Sequence, residues 1–289
     1  MVANMNKSLR IMIALDLSKM DKILIQYVNY LTSIWKVAHI DFIHNIKQTE
    51  LHNIYEEIAD ENIVIDEVIE RELQREIKKH YTGSANYDIL VAADTYTESI
   101  FSYMAKKNKS DIVIVGKKSK MKGTGGMAQK LVRMLTCDML LVPENVKNQL
   151  KNILLPTDFT ANSVKAFRCA RTIQKQNNSK LYTLHVYNIP SVYFPFIDRE
   201  KAMDKTEAHL EAKYLAFCKR NNIEDVPFTL INHDDLSVVE AIVRHSKKEK
   251  MDMIVVSARG GNKITSLFIG SITNELVLED IPIPILVVK

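Results

Sequence analysis

The sequence predicts an α/β fold occurring twice in one chain: two similar open parallel sheets, each with helices on both faces. Three observations carry this. Short apolar runs of strand length alternate with longer stretches of helical periodicity. The alternation restarts near residue 150, so that Asp158 answers Asp16 at an offset of 158 − 16 = 142 residues. Seven of the eight glycines fall in two clusters, each just after an apolar run that opens with Asp, namely 111–115 and 252–256.

The first strand is predicted at Leu9 to Leu15 and ends at Asp16. A helix follows from Lys19 to Trp35, with Ile23, Leu24, Tyr27, Val28, Leu31 and Ile34 at helical spacing. Next come a strand at His39 to His44, a charged helical stretch from Glu50 to His80, a strand near Tyr87 to Ala92 and a helix near Glu98 to Lys107. The run Asp111 to Val115 leads into Gly116, Gly123, Gly125 and Gly126, then a helix near Met127 to Leu135 and a strand at Met139 to Val142. Parallel strands need crossovers, and helical crossovers cover both faces of the sheet.

The second copy follows the same order. Ile153 to Asp158 answers the first strand, a helix at Ser163 to Gln176 answers the first helix, and Leu181 to Val186 answers His39 to His44. A helix from Lys201 to Arg220 and one starting near Ser237 precede the strand Asp252 to Val256, and Pro284 to Val288 closes the repeat. Domains are therefore expected at residues 1–145 and 151–289, joined by a short linker that keeps the halves in contact.

At 289 residues and 46% hydrophobic content, the chain has enough apolar material for proper cores. No apolar run approaches the roughly 20 residues that span a bilayer, and the first residues show no signal-peptide pattern, so a cytoplasmic protein without membrane contact is expected. Cys137, Cys169 and Cys218 form no C-x-x-C pair and read as buried thiols. A net charge of +4 spread over mixed-sign helices does not describe a nucleic-acid binder. No G-x-S-x-G elbow or G-x-x-x-x-G-K-S/T loop occurs, so an enzyme is not expected.

The second glycine cluster is the candidate site. The strand Met253 to Val256 runs into Ser257-Ala258-Arg259-Gly260-Gly261-Asn262-Lys263 and restarts at Gly270-Ser271-Ile272-Thr273, opening a helix. Glycines let backbone N–H groups approach an anion, and a helix N-terminus adds unpaired donors and positive potential. Ordinary strand-to-helix turns also use glycine, and spacing alone leaves both readings open.

Asn152 to Thr160, the strand ending Leu184-His185-Val186, and the closing glycine loop with Pro-Ile-Leu-Val-Val together resemble a universal stress protein domain. The resemblance is strong over 151–289 and looser over 1–145. It implies five-stranded open sheets of the adenine-nucleotide alpha-hydrolase-like type, with ATP or another adenine nucleotide at the carboxyl ends of the strands. The family motif is Gly, two residues, Gly, nine residues, then Gly-Ser or Gly-Thr. Here Ser257 replaces the first glycine, while Gly260 and Gly270-Ser271 match. By the same resemblance, Pro156, Thr157 and Asp158 border the base and ribose or a phosphate-bound Mg²⁺. The Val186 backbone meets the adenine edge. Arg259, Lys263 and Gly261 lie along the phosphates, with Ser271, Ile272 and Thr273 as donors.

In the first half, Ser119 stands at the second glycine and Gly125-Gly126 arrives early, with Met127 and Ala128 replacing Ile272 and Thr273, so that copy is expected to be degenerate. Asp16 and Asp158 also suit helix capping, as does His233-Asp234-Asp235 before Ser237. His185 is expected in the packed strand without a catalytic role. Aromatics and prolines in Ile189 to Phe196 suggest a lid or partner contact. The expected function is a cytoplasmic stress-response protein that binds adenine nucleotide in its second domain as a ligand-responsive regulator, with at most slow ATP hydrolysis. The alternative is a nucleotide-free interaction module, an intramolecular pseudo-dimer docked through its last strands, with an unknown protein partner or as a homodimer.

Overall fold

The computed structural model describes residues 8–47, 64–118, 124–224, 226–233, 236–259 and 269–289. Its ten strands form one sheet, where two were expected. The first half supplies β1 (Leu9–Leu15), β2 (Val37–Ile46), β3 (Asn86–Ala93), β4 (Ile112–Lys117) and β5 (Asp138–Pro143). The second supplies β6 (Asn152–Pro156), β7 (Lys180–Tyr187), β8 (Phe228–Asn232), β9 (Met253–Ser257) and β10 (Ile285–Val288). The spatial order is β3-β2-β1-β4-β5-β10-β9-β6-β7-β8, so each half has the same internal order. Within each half all pairs are parallel.

The halves meet at an antiparallel pair, β5 against β10, with Ile285, Leu286 and Val287 opposite Leu141, Leu140 and Met139. Every residue of both strands is buried, so the two edges that would otherwise be open satisfy each other. Polar contacts reinforce this seam. The Gln129 amide donates to Asn274 Oδ1 at 2.7 Å, Lys289 N–H donates to Asp138 Oδ1 at 3.0 Å, and the buried Lys117 ammonium donates to Leu276 O at 3.2 Å.

Strand side chains alternate between the two faces, and each face has its own core. Ile11 and Ile13 pack on one side with α1 (Lys19–Ile34), α2 (Ile65–His80), α5 (Ala161–Asn177) and α6 (Arg199–Asn221). Met12 and Ala14 pack on the other with α3 (Thr97–Lys107), α4 (Thr124–Met134), α7 (Val238–Lys248) and α8 (Ser271–Leu278). The helix starts follow capping chemistry: Ser18 accepts from Met20 N–H before α1, and Ser237 forms a reciprocal capping box with Glu240 before α7.

Asp111 and Asp252 precede β4 and β9 and act as clamps. Asp111 accepts from Arg10 N–H at 3.0 Å, and Asp252 accepts from Lys151 N–H and Asn152 N–H at 2.8 and 2.9 Å. The same aspartate thus ties the same strand pair together in each half. Cys169 and Cys218 are buried and Cys137 is half-buried, all three free thiols. Of the long helical stretch expected from Glu50 to His80, the part within the described residues is α2. β8 was not anticipated by periodicity. It is only five residues long, lies at the sheet edge and is half-buried throughout.

Candidate functional site

A cleft of about 410 Å³ lies beyond the carboxyl ends of β6, β7 and β9. Open α/β sheets bind ligands in this position because the connecting loops diverge there. Pro156, Thr157, Asp158, Val186, Ser257, Arg259, Gly270, Ser271, Ile272 and Thr273 all line it. Gly260, Gly261 and Lys263, also predicted, lie outside the described residues.

The turn after β6 is held by backbone bonds. Thr157 N–H donates to Leu184 O at 2.9 Å, and the Thr157 hydroxyl accepts from Phe159 N–H at 3.2 Å. The following residue, Asp158, is exposed. One of its oxygens accepts from Thr160 N–H, the Thr160 hydroxyl and the Ser163 hydroxyl at 3.1, 2.7 and 2.6 Å. Asp158 thus braces the turn that enters α5 without capping it, since Thr160 is the N-cap and no side chain caps the helix amides, and the carboxylate borders the cleft.

His185 lines the cleft as well, which sequence reasoning did not foresee. Its Nδ1 lies 2.8 Å from Thr157 O. A carbonyl only accepts, so Nδ1 carries the proton and Nε2 is left as an acceptor in the neutral ring. Burial lowers the His185 pKa, with a further push from nearby Lys213, which keeps the ring neutral at pH 7. The signal for it lies in the repeat: His44 occupies the same place in the first half, with Nδ1 at 3.0 Å from Leu15 O.

Ser257 is the last residue of β9 and pairs with Val288. It is absent from the positive-φ residues, so replacing the motif glycine brings no backbone strain. Its hydroxyl donates to Arg259 O at 2.7 Å, and its carbonyl accepts from the Thr273 hydroxyl at 2.8 Å. That second bond ties the start of α8 to the end of β9. Gly270 is the N-cap of α8 at φ −60°, offers no side-chain cap, and donates its N–H to Ala258 O at 3.0 Å.

The first-turn amides of α8 have no partner within the helix and no capping side chain, and the residues bearing them line the cleft. Positive helix-end potential and Arg259 therefore meet at one end of the cleft. Leu184, Val186, Val238, Ile242 and Val256 add apolar lining beside the polar Thr157, Asp158, Ser163 and His185. Such a cleft takes a flat apolar body at one end and an anion at the other.

The corresponding place in the first half is a cavity of about 240 Å³ bordered by Asp16, His44, Gly116 and Lys118. Met20 packs against its Gly116 wall, so that a Cβ on Gly116 would fall 2.5 Å from Met20 Cγ. An ion pair from Lys118 to Asp16 crosses its mouth. None of the residues 189–196 lines the second-half cleft, so the lid expected from that segment is not observed there; Val192, Tyr193 and Phe196 are instead exposed. No helix among the described residues is long and apolar enough to cross a membrane.

Residues 149–289 match the universal stress protein family. Among curated proteins, a universal stress protein of Methanocaldococcus jannaschii, MJ0531, is 28% identical over 148 residues, covering 50% of this chain and 85% of that protein. A universal stress protein of Thermus aquaticus is 27% identical over 146 residues, covering 48% of this chain and 98% of that one. Solved structures extend the likeness to the whole chain. A putative universal stress protein from Pseudomonas aeruginosa superposes with a TM-score of 0.65 at 13% identity, covering 99% of this chain and 94% of that one. One from Archaeoglobus fulgidus gives 0.63 at 13% identity, covering 98% and 97%. Residues 149–289 are thus a universal stress protein family domain, set in a chain whose whole fold is shared with such proteins.

Proposed function

We propose that the second half binds ATP or a related adenine nucleotide in the 410 Å³ cleft, and that the protein acts in the cytoplasm as a ligand-responsive stress regulator. The carrying observation is the uncapped N-terminus of α8 beside Arg259, lining a cleft that also holds apolar side chains. The base would lie against Val186, Val238 and Ile242, with the neutral His185 as a hydrogen-bond acceptor. The phosphates would take the α8 amides and the Arg259 guanidinium. Asp158 is the one carboxylate among the described residues lining the cleft. Mg²⁺ on a nucleotide commonly uses one or two carboxylates with phosphates and water, so Asp158 fits that role. The proposal is binding rather than turnover: His185 is anchored to Thr157 O, and any hydrolysis would be slow.

Protein purified from cells and denatured should release adenine nucleotide on chromatography, and calorimetry of the stripped protein should show saturable ATP binding with Mg²⁺. Gly270→Val, which sets a branched side chain at the phosphate end, should remove both signals. No released nucleotide and a flat titration at millimolar ATP would leave the second reading, a protein-interaction module. That reading is favoured by the exposed Val192, Tyr193 and Phe196, which are 66%, 54% and 84% accessible.

A further inference from the structure

We infer that His39, Asp41 and Asp88 form a binding site for a divalent transition-metal cation of the zinc class, at the amino ends of β2 and β3. The strand geometry brings them together. His39 and Asp41 are two apart on β2 and share one face, and Asp88 lies directly opposite Asp41 on β3. His39 Nε2 is 3.3 Å from Asp41 Oδ1 and 3.1 Å from Asp88 Oδ2. Ligands bound at about 2.0–2.2 Å to one ion stand about 3.0–3.5 Å apart in octahedral or tetrahedral arrangements, and both separations fall there. One ligand atom from each of the three residues lies within 4.8 Å of the others.

Burial supplies a second, independent argument. The Asp41 side chain is only 3% exposed, and its Oδ2 has no hydrogen-bond partner. His39 Nε2 is also buried and reaches neither carboxylate with hydrogen-bond geometry. A buried carboxylate with one oxygen lacking a donor is costly, and a cation held by His39 Nε2 and Asp41 Oδ1 neutralises its charge and gives the imidazole nitrogen a partner. Arg10 Nη2 stays 4.0 Å from Asp41 Oδ2, and its Nε is already committed to Asn108 O at 2.8 Å. Water would complete the coordination on the open side, where Asp88 is 68% exposed.

The repeat shows that the fold does not require this cluster. Met12 pairs with Asp41 in the first half, and its counterpart Leu154 pairs with Tyr182 in the second. The aspartate's place is taken by an aromatic ring where the sheet is otherwise the same. The site also lies at the opposite end of its strands from the position of the nucleotide cleft, so it is separate from any Mg²⁺ carried by a nucleotide.

The test is calorimetric titration of nucleotide-free, chelator-stripped full-length protein with ZnCl₂, alongside a Co²⁺ titration followed by visible ligand-field bands. One ion per chain is expected. Asp88→Ala, at an exposed position, and His39→Gln should each weaken zinc by at least about tenfold, with metal-free circular dichroism melts unchanged. If Asp88→Ala alters the metal-free melt, His39→Gln decides. Absence of saturable zinc binding in the wild type, or equal affinity in the variant that keeps its fold, overturns the assignment.

Discussion

Leu17 and Phe159 hold φ at 59° and 60°, each one residue past the aspartate, Asp16 or Asp158, in the turn after β1 or β6. A bulky residue in the left-handed region costs on the order of 1–3 kcal/mol, so each turn needs compensation. Phe159 finds it in packing: its ring stacks 4.5 Å from His185 and also meets Tyr214, Phe217 and Phe228. Leu17 is 45% exposed and gains little that way. There the turn is held by Asp21, whose oxygens accept from Asp16 N–H at 3.0 Å and Leu17 N–H at 2.8 Å. Burial raises the Asp21 pKa from 3.8 to about 6, with the Asp16 charge adding to the rise. The folded state therefore binds more protons than the unfolded state between these values, and this contribution to stability is complete below pH 3.8 and lost as pH rises past 6. A shift of about two units corresponds to about 3 kcal/mol. Asp21→Asn should remove this downward slope, so urea midpoints of variant and wild type should diverge between about pH 4 and 6; parallel profiles would count against it.

At the level of elements, α7 shows how local capping builds the cleft. Ser237 accepts from Glu240 N–H at 3.1 Å, and Glu240 Oε2 accepts from Ser237 N–H at 2.7 Å. Val238 and Ile242 of the helix so started line the cleft. Ser237→Ala should cost about 1 kcal/mol in chemical denaturation and, on the proposed nucleotide reading, loosen ATP binding along with it. An unchanged midpoint would mean that tertiary packing alone sets this helix start. Elements were legible in the sequence where their signals are local, as in the apolar runs opened by Asp111 and Asp252; the cap of α7 was not, since it is Ser237 with Glu240 and the sequence suggested His233-Asp234-Asp235, of which Asp234 and Asp235 lie outside the described residues. The site was legible where a motif put its residues in sequence order, at Pro156 to Asp158 and Gly270 to Thr273. It was not legible at His185, whose place depends on a bond to Thr157 O across two strands. Nor was it at Val238, Ile242 and Val256, whose apolar side chains read equally well as core. Ser257 looked like a defect in the motif until its extended backbone showed that the position makes no demand for glycine.

For the whole molecule, the antiparallel seam turns two parallel half-sheets into one continuous sheet with two cores. Each half provides the other with the strand it lacks: Leu286 faces Leu140, and Ile285 and Val287 flank it against Leu141 and Met139. Residues 149–289 alone would leave β10 as a bare edge of four apolar residues that are buried in the full chain. Such an edge pairs with the nearest compatible strand. The pairing it makes here is antiparallel and nearly in register, so a second β10 can take the place of β5 across a two-fold axis. The expressed 149–289 fragment should therefore sediment as a dimer at micromolar concentrations, whereas the full chain has this edge satisfied internally. A fragment that is folded by circular dichroism yet monomeric throughout that range would show that α4 and the Lys117 and Gln129 contacts, rather than the strand edge, hold the halves together.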